Sequence, residues 1–541
     1  MAQAAVDLGG RGFSFGGKTL LSGRDPDAAA RRAADAAPLS EGTLFLCPSP
    51  LFGHGLSRLL ARIEASAGCA LLCVEAEDEL RALSREKIPH EIASRELFRL
   101  TDCVGAEELC AFVRREWGAR AFRRVEVARL NGGWQLHREL YEGMAQALRR
   151  EIALDWGNAL TMAALGRGYA KNALRNLARA AGGPSLKALS FGSCPTLVLG
   201  AGPSMDGALD ALAARFGESL RDPELRPFRI VCADTCLPAL KARGLRPDLA
   251  VVLESQFWNV GDFVGLSGWD VPVAADLSAL PRTAEVLSGG ARFFFTRWAP
   301  LRLFDRLKAQ DFLPPEMPAL GSVGLSALAI ALALCDGPVF VSGLDFSFGI
   351  DLSHARSSPR HLAVLRQWNR FSGIALARSA FSDGVFPLEP EQPGANLRST
   401  GAMRGYRELF DREFGSHERL SGFSPSDERA LRALASGAPR IRATIPAPRP
   451  NGDDLRLFAR AELDALDRLR AEISAEGASG LAEPLSECDY LWAHFPDAPR
   501  RAADLAGLCA SRCDAAASFF RRVLAEIGPF AALWERLGAG P

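Results

Sequence analysis

The chain has 541 residues, 48% hydrophobic and 24% charged, and its 64 Lys and Arg residues balance its 64 Asp and Glu residues. This length exceeds what one hydrophobic core supports and predicts three or four domains. The formal net charge of zero provides no overall attraction to nucleic acid or to an anionic membrane.

The 12 cysteines lack the spacing of metal ligands and read as small apolar residues of a reducing compartment. The longest apolar run spans about half of what a bilayer requires, so no transmembrane segment is expected. The amino terminus lacks the basic start and apolar centre of a secretory signal. These features predict a cytoplasmic protein.

Residues 1–132 are predicted to form an arm, a short helix and a small α/β domain. Its strands are the apolar runs at 43–47, 70–75, 97–100 and 124–128. Glu75 ends the second strand, where folds of this kind often bind a ribose. The loop at 48–53 is bulky and proline-rich where a nucleotide would need glycines, so a structural domain is the favoured interpretation.

Two further segments are predicted to be helical. Residues 133–192 are rich in Leu, Ala, Arg and Glu at helical spacing, which indicates two helices that connect two domains. Residues 386–541 are predicted to form a carboxyl-terminal, mostly helical domain that ends in a bundle.

Residues 193–385 are predicted to form the central domain, an α/β domain with a mostly parallel, Rossmann-like sheet. Short apolar runs alternate with helical segments here, which is typical of a parallel sheet covered on both faces. The predicted strands begin at 195 and continue with 229–232, 249–253, 271–275, 292–295 and 338–341.

The first central strand runs into a turn of small residues at 200–204, and a helical pattern follows. Ser204 lies where a helix N-cap belongs, and Gly200 and Gly202 would let a phosphate approach the main chain at the helix start. Asp206 would oppose an anion there, so we expect its side chain to point outward. A dinucleotide fingerprint needs a third glycine at 205, which argues against NAD.

Other candidate site residues follow the remaining strands. Because parallel strands end at one edge of the sheet, beside Gly200, these residues are expected to gather where open α/β folds bind ligands. They are Asp234, Glu254, Asp276, Gly343 and Asp345. A second small-residue turn, 321–324, precedes an apolar helix and places Ser322 at another set of helix N-terminal donors.

Two of the seven histidines lie in the segment 346–361, which follows the last predicted strand of the central domain. His354 sits among small residues in a polar, turn-rich loop and is the candidate catalytic base, since an imidazole of near-neutral pKa suits proton transfer. A plain loop histidine is the alternative. His361 enters the next helix and is a weaker candidate.

Several segments in order resemble the motility-associated-factor (Maf) family, flagellin nonulosonate glycosyltransferases with a 6-hydroxymethylpterin diphosphokinase MptE-like domain. The order and spacing of these segments are more specific than any one of them. They are 21–26, 200–204, 233–235 with 244–248, 321–323, 343–345 and 353–355. Glu254 stands where the family more often has aspartate, and Leu344 where a glutamine is common.

The resemblance implies a sialyltransferase-like central domain that transfers a nonulosonic acid from its CMP form to a Ser or Thr of flagellin. An inverting, metal-independent reaction without a permanently bound cofactor is expected. The resemblance implies that the loop residues Gly200, Gly202, Pro203 and Ser204 hold the leaving phosphate. Donor contacts would also come from Asp234, Glu254, Asp276, Ser322, Gly343 and Asp345, and His354 would take the acceptor's proton.

Two alternatives stay open. One is pyrophosphate transfer from ATP to a pterin, with Mg²⁺ held by Asp234, Glu254, Asp276 and Asp345. The other is a non-catalytic flagellar or chaperone-like scaffold that keeps the fold without turnover.

Overall fold

The computed structural model describes residues 6–7, 12–21, 23–118, 120–349, 352–371, 384–388, 397–437, 452–475, 480–511 and 513–539. The chain forms two compact units, residues 1–162 and 163–541. The finer division into four segments stays a prediction.

The first unit contains an antiparallel and a parallel sheet. The antiparallel strands are β1 (Val6–Asp7), β2 (Phe13–Phe15) and β3 (Lys18–Leu21). The parallel strands are β4 (Thr43–Pro48), β5 (Ala70–Val74), β6 (Phe98–Thr101) and β7 (Arg124–Val127), in the order β6-β5-β4-β7. The helices are α1 (Pro26–Ala36), α2 (Leu56–Glu64), α3 (Asp78–Lys87), α4 (His90–Ala93) and α5 (Ala106–Trp117).

A buried network closes the carboxyl ends of β4 and β5. Glu75 is fully buried and accepts hydrogen bonds from Ser49 Oγ at 2.5 Å, Tyr141 Oη at 3.3 Å and the Glu77 N–H at 3.2 Å. Burial raises the pKa of Glu75 above its usual range despite these bonds. Glu75, which lies where folds of this kind often bind a ribose, thus forms its hydrogen bonds within the protein.

A single 45-residue helix, α6 (Arg138–Gly182), runs through the boundary between the units, where the sequence predicts two helices. The helix contains no proline, and its internal glycines each cost only about 1 kcal/mol relative to alanine. Those weak breakers do not interrupt it.

The second unit is built on an eight-stranded sheet in which every pairing is parallel. Its strands, in sheet order, are β13 (Glu316–Met317), β12 (Ala291–Thr296), β11 (Val273–Asp276), β10 (Leu249–Val252), β9 (Arg229–Ala233), β8 (Thr196–Leu199), β14 (Val339–Ser342) and β18 (Leu420–Gly422). The predicted parallel α/β fold is confirmed. Burial on both faces explains why the inner strands are continuous apolar runs.

Helices cover both faces of this sheet. They are α7 (Ser204–Phe216), α8 (Leu237–Ala242), α9 (Thr283–Val286), α10 (Arg302–Ala309) and α11 (Val323–Leu334). The next helix along the chain is α12 (Pro359–Gln367). The apolar α11 packs in a core with the sheet on one side and with Phe410 and Phe414 of a later helix. This enclosure explains a helix without a charged residue. Among the described helices, none combines the length and apolar character needed to cross a bilayer.

Beyond α12 the chain adds a small antiparallel sheet and a set of helices. The strands are β15 (Phe348–Gly349), β16 (Val385–Pro387) and β17 (Leu397–Thr400). The helices are α13 (Gly401–Phe414), α14 (Glu428–Ala435), α15 (Gly452–Ser474), α16 (Ala482–Glu487), α17 (Ala498–Ala503), α18 (Leu505–Ala510) and α19 (Asp514–Ala539). Arg306 of α10 donates to Glu462 of α15 and joins these helices to the sheet layer.

Candidate active site

The strand order places a topological switch point between β8 and β14. Successive strands β8 to β13 extend in one direction, whereas β14 lies on the other side of β8. Ligands of open parallel sheets bind outside the carboxyl ends of the strands at such a point. The loops that leave these two strands, 200–204 and 343–345, therefore flank the expected crevice.

The two loops touch through their backbones. The Gly200 N–H donates to the Ser342 carbonyl at 2.8 Å, and the Gly202 N–H donates to the Gly343 carbonyl at 2.9 Å. A Cβ at Gly200 would overlap the carbonyl oxygen of Gly343, and a Cβ at Gly343, where φ is +76°, would overlap the carbonyl oxygen of Gly200. These glycines are thus required for loop-to-loop packing.

The start of α7 is occupied by a carboxylate of the chain. Asp345 accepts from the Ser204 N–H at 2.9 Å and from Ser204 Oγ, and Ser204 Oγ accepts from the Gly343 N–H at 2.9 Å. The helix begins at Ser204 itself, so Pro203 and not Ser204 holds the N-cap position. An internal anion therefore sits where the sequence predicts the phosphate.

The His354 loop folds back onto the same edge. The Ala355 N–H donates to the Ala201 carbonyl at 2.8 Å, and the Arg356 N–H donates to Asp206 Oδ2 at 2.9 Å. Asp206 does not point outward as expected: it is 8% exposed and forms an ion pair with Arg243 at 2.5 Å.

The ring of His354 is partly buried, and Nδ1 lies 3.0 Å from Ser353 Oγ. Burial, together with the positive charge of Arg360, lowers the pKa of His354 below the usual histidine value. The imidazole is therefore neutral near pH 7 and able to accept a proton.

The start of α11 lies against the Gly343 loop. A Cβ at Gly324 would overlap a methyl group of Leu344, so this glycine permits the close approach. Ser322 precedes α11, and within the described part of the chain its side chain makes no capping bond to the helix. The first-turn N–H groups of α11 thus differ from those of α7, where Asp345 provides the cap.

Asp234 lies at the end of β9 in a buried polar network. Its carboxylate accepts from Asn259 Nδ2 at 2.9 Å and from the Thr235 N–H at 2.9 Å, and Thr235 Oγ1 also lies 3.2 Å from Asp262. Burial raises the pKa of Asp234 to about 7, and the neighbouring charge of Asp262 adds to the increase.

This raised pKa predicts a pH-dependent stability. Because the folded state disfavours the carboxylate, Asp234 contributes stability at low pH that is lost as pH rises from about 4 to about 7. We expect Asp234→Asn to lose less stability than the wild type between pH 5 and pH 8, by about 1 kcal/mol per pH unit. Urea unfolding at both pH values measures it. Asp270→Asn, on an exposed carboxylate, is the control; parallel curves for wild type and Asp234→Asn would show that Asp234 is ionised throughout.

Two other predicted carboxylates are engaged locally. Glu254 is exposed and accepts from the N–H groups of Ser255 and Gln256 at 2.9 and 3.0 Å. Asp276 is fully buried and bonded to the N–H and hydroxyl groups of both Ser278 and Thr296, which ties β11 to β12. Within the described ranges, no group of three His, Cys, Asp or Glu side chains is placed to hold a metal ion.

Sequence reasoning missed the contribution of α6 to this edge. Asn172 donates to the carbonyls of Ser255 and Ser278, and Asn176 donates to those of Leu277 and Ala279 at 2.9 and 2.8 Å. The second half of α6 thus covers the loops after β10 and β11, so the open part of the edge is at β8, β9 and β14. Two asparagines four residues apart on one helix face were the available signal.

Comparison with known proteins gives a family match, a relative of similar length and a solved structure of similar fold. A family described as 6-hydroxymethylpterin diphosphokinase MptE-like matches residues 171–351, from the second half of α6 to just before His354. An uncharacterized protein of Treponema pallidum (strain Nichols) is 26% identical over 534 residues, covering 92% of this chain and 90% of that protein. The structure of the Maf glycosyltransferase from Magnetospirillum magneticum AMB-1 superposes with a TM-score of 0.50 at 14% identity, covering 97% of this chain and 90% of that one. The resemblance predicted from the sequence is thus confirmed: residues 171–351 match the 6-hydroxymethylpterin diphosphokinase MptE-like family, and the chain shares its fold with a Maf glycosyltransferase.

Proposed function

We propose that this chain is a glycosyltransferase that moves a nonulosonic acid from a CMP-activated donor to a Ser or Thr hydroxyl of flagellin in the cytoplasm. The observation that carries the proposal is the partly buried, neutral His354 held beside the paired loops at the β8/β14 switch point. The fold shared with a Maf glycosyltransferase supports the reaction class. No resident cofactor is needed in this reaction.

The phosphate of the donor is assigned to the start of α11. Negative charge grows on this phosphate as its bond to the anomeric carbon breaks, and N–H groups at a helix start stabilise such charge. The corresponding groups of α7 already face Asp345, whereas Ser322 leaves those of α11 without a side-chain cap among the described residues.

In the transfer step the acceptor oxygen bonds to the anomeric carbon, the bond from this carbon to the phosphate oxygen breaks, and CMP leaves. Attack from the face opposite the phosphate inverts the configuration. With Nδ1 of His354 engaged by Ser353, Nε2 receives the acceptor's proton.

A nucleotide panel tests the donor class. We expect CMP to stabilise the chain against heat with and without EDTA, by about 2.7 kcal/mol at 100 times its dissociation constant. CDP, ATP, GTP and UDP-sugars are the comparison ligands, measured by thermal shift and confirmed by calorimetry. Introducing a negative charge at the proposed phosphate site, Ser322→Asp, should abolish the CMP effect, and the same change at the distant Ser436 should not.

The other outcomes separate the alternatives. Stabilisation by ATP that requires Mg²⁺ would replace the proposal with the pyrophosphate transfer that the matching family's name describes. Failure of every nucleotide to bind would favour a non-catalytic scaffold.

A further inference from the structure

The helix that follows the His354 loop exposes an apolar face. Leu362 and Leu365 of α12 are 38% and 42% exposed, and Trp368 and Phe371 just beyond it are 57% and 84% exposed. Val364, on the opposite side, is buried and anchors the helix. Four exposed apolar side chains of this size within ten residues indicate an interaction surface, because a folded chain rarely leaves so much apolar area in water.

The charged residues of the segment that carries this face are all arginines. Between Asp351 and Asp383 the sequence contains five arginines and no acidic residue, although acids make up 64 of the 541 residues of the chain. Four of these arginines lie on described residues, and all four are exposed: Arg356, Arg360, Arg366 and Arg370. Among the described residues none of the four forms a salt bridge, and Cζ of Arg370 lies 4.6 Å from the centre of the Phe371 ring.

This surface is continuous with the candidate active site. α12 begins five residues after His354, with Ser358 as its N-cap, and its nine residues extend about 14 Å from that point. The preceding loop is fixed to the β8 loop by the bond from the Ala355 N–H to the Ala201 carbonyl. A partner that covers α12 therefore reaches the His354 loop.

We propose that the face formed by Leu362, Leu365, Trp368 and Phe371, with its flanking arginines, docks an acidic amphipathic segment of the acceptor protein. Apolar side chains of the partner would cover the four exposed residues, and its carboxylates would pair with the arginines. The choice of a protein over a lipid surface rests on the proposed function, in which the acceptor is a protein.

The test is direct binding without turnover. The probe is a labelled 18-residue helical peptide with leucines on one face and glutamates on the other, measured by fluorescence anisotropy at low and high salt. We expect it to bind the full chain, with binding that weakens as salt rises. The triple variant Arg360→Glu, Arg366→Glu, Arg370→Glu should bind at least tenfold more weakly, and Trp368→Ser at least fivefold more weakly.

Matched controls use the exposed arginines of α15. The variant Arg456→Glu, Arg460→Glu, Arg468→Glu makes the same change of charge on a helix that also exposes Leu457, and it should bind within twofold of the wild type. Circular dichroism checks that each variant is folded. The same peptide with lysines in place of glutamates should not bind.

Three results would overturn the proposal: no binding of the acidic peptide, equal loss in the α15 control, or arginine-dependent binding of phosphatidylserine vesicles in place of the peptide. The last would make the face a membrane surface. If the chain binds CMP but not the peptide, only the docking proposal is wrong. If the chain binds the peptide but no nucleotide, the docking surface stands and the proposed function is wrong.

Discussion

Asp248→Ala is expected to lower the free energy of unfolding of the second unit by about 3–5 kcal/mol, because it leaves a buried arginine without its counter-charge. Asp248 and Arg226 form an ion pair in which both side chains are fully buried. Asp248 also accepts from the Ile230 N–H at 2.8 Å, at the start of β9. Arg226 donates further to the carbonyls of Phe228, Leu220 and Arg246 at 3.0 to 3.1 Å.

Urea unfolding measures this loss, and a nearby surface pair provides the control. Arg246 and Asp270 lie 2.5 Å apart, but the Asp270 side chain is 65% exposed. Asp270→Ala should therefore cost less than about 1 kcal/mol. If Asp248→Ala costs no more than the control, the buried pair does not hold the amino ends of β9 and β10 together.

His354→Ala is expected to slow glycosyl transfer by about 10² to 10⁴ fold while donor affinity stays within a few fold, because a general base acts on the acceptor and not on the donor. The lowered pKa of His354 keeps the ring neutral below the usual histidine pKa. The acid limb of the pH profile of kcat/KM should therefore lie at lower pH than that of an ordinary histidine, and this limb should vanish in the variant. Rates with a fixed acceptor and calorimetry with CMP measure the two effects.

His361→Ala is the matched control for this prediction. His361 lies on α12, seven residues from His354, and its N–H donates to the N-cap Ser358 at 3.4 Å. The control should retain most of the activity. Equal rates in the two variants, or a loss of CMP affinity in His354→Ala without a rate effect, would make His354 a loop residue or a phosphate ligand.

The glycine turn at 200–204 shows which features a local sequence pattern can predict. The pattern of an apolar run, small residues and a helical stretch correctly predicts strand, turn and helix at 195–216, because these depend on neighbouring residues. The pattern predicts that the glycines make room for a phosphate. In the structure they make room for the chain itself, because a Cβ at Gly200 would overlap Gly343 and a Cβ at Gly202 would overlap Asp345. A contact between residues about 140 positions apart leaves no mark in either local pattern.

The short strands β13 and β18 and the single helix α6 were missed for a related reason. β18 is three residues long and pairs with β14, whose paired residues lie 81 positions earlier, so its strand state comes from the sheet and not from its own residues. The asparagines of α6 likewise acquire their role only from the loops beneath them.

The sequence by itself determined the parallel α/β class and the edge on which the candidate residues gather, because buried strands need apolar runs and turns need small residues. Only the tertiary structure decided what each acid at that edge does. Asp276 is bonded by Ser278 and Thr296, Asp345 caps α7, and Asp234 is buried with a raised pKa. Each acid follows a strand in much the same way. Their roles differ because the donors and the burial come from other elements of the fold.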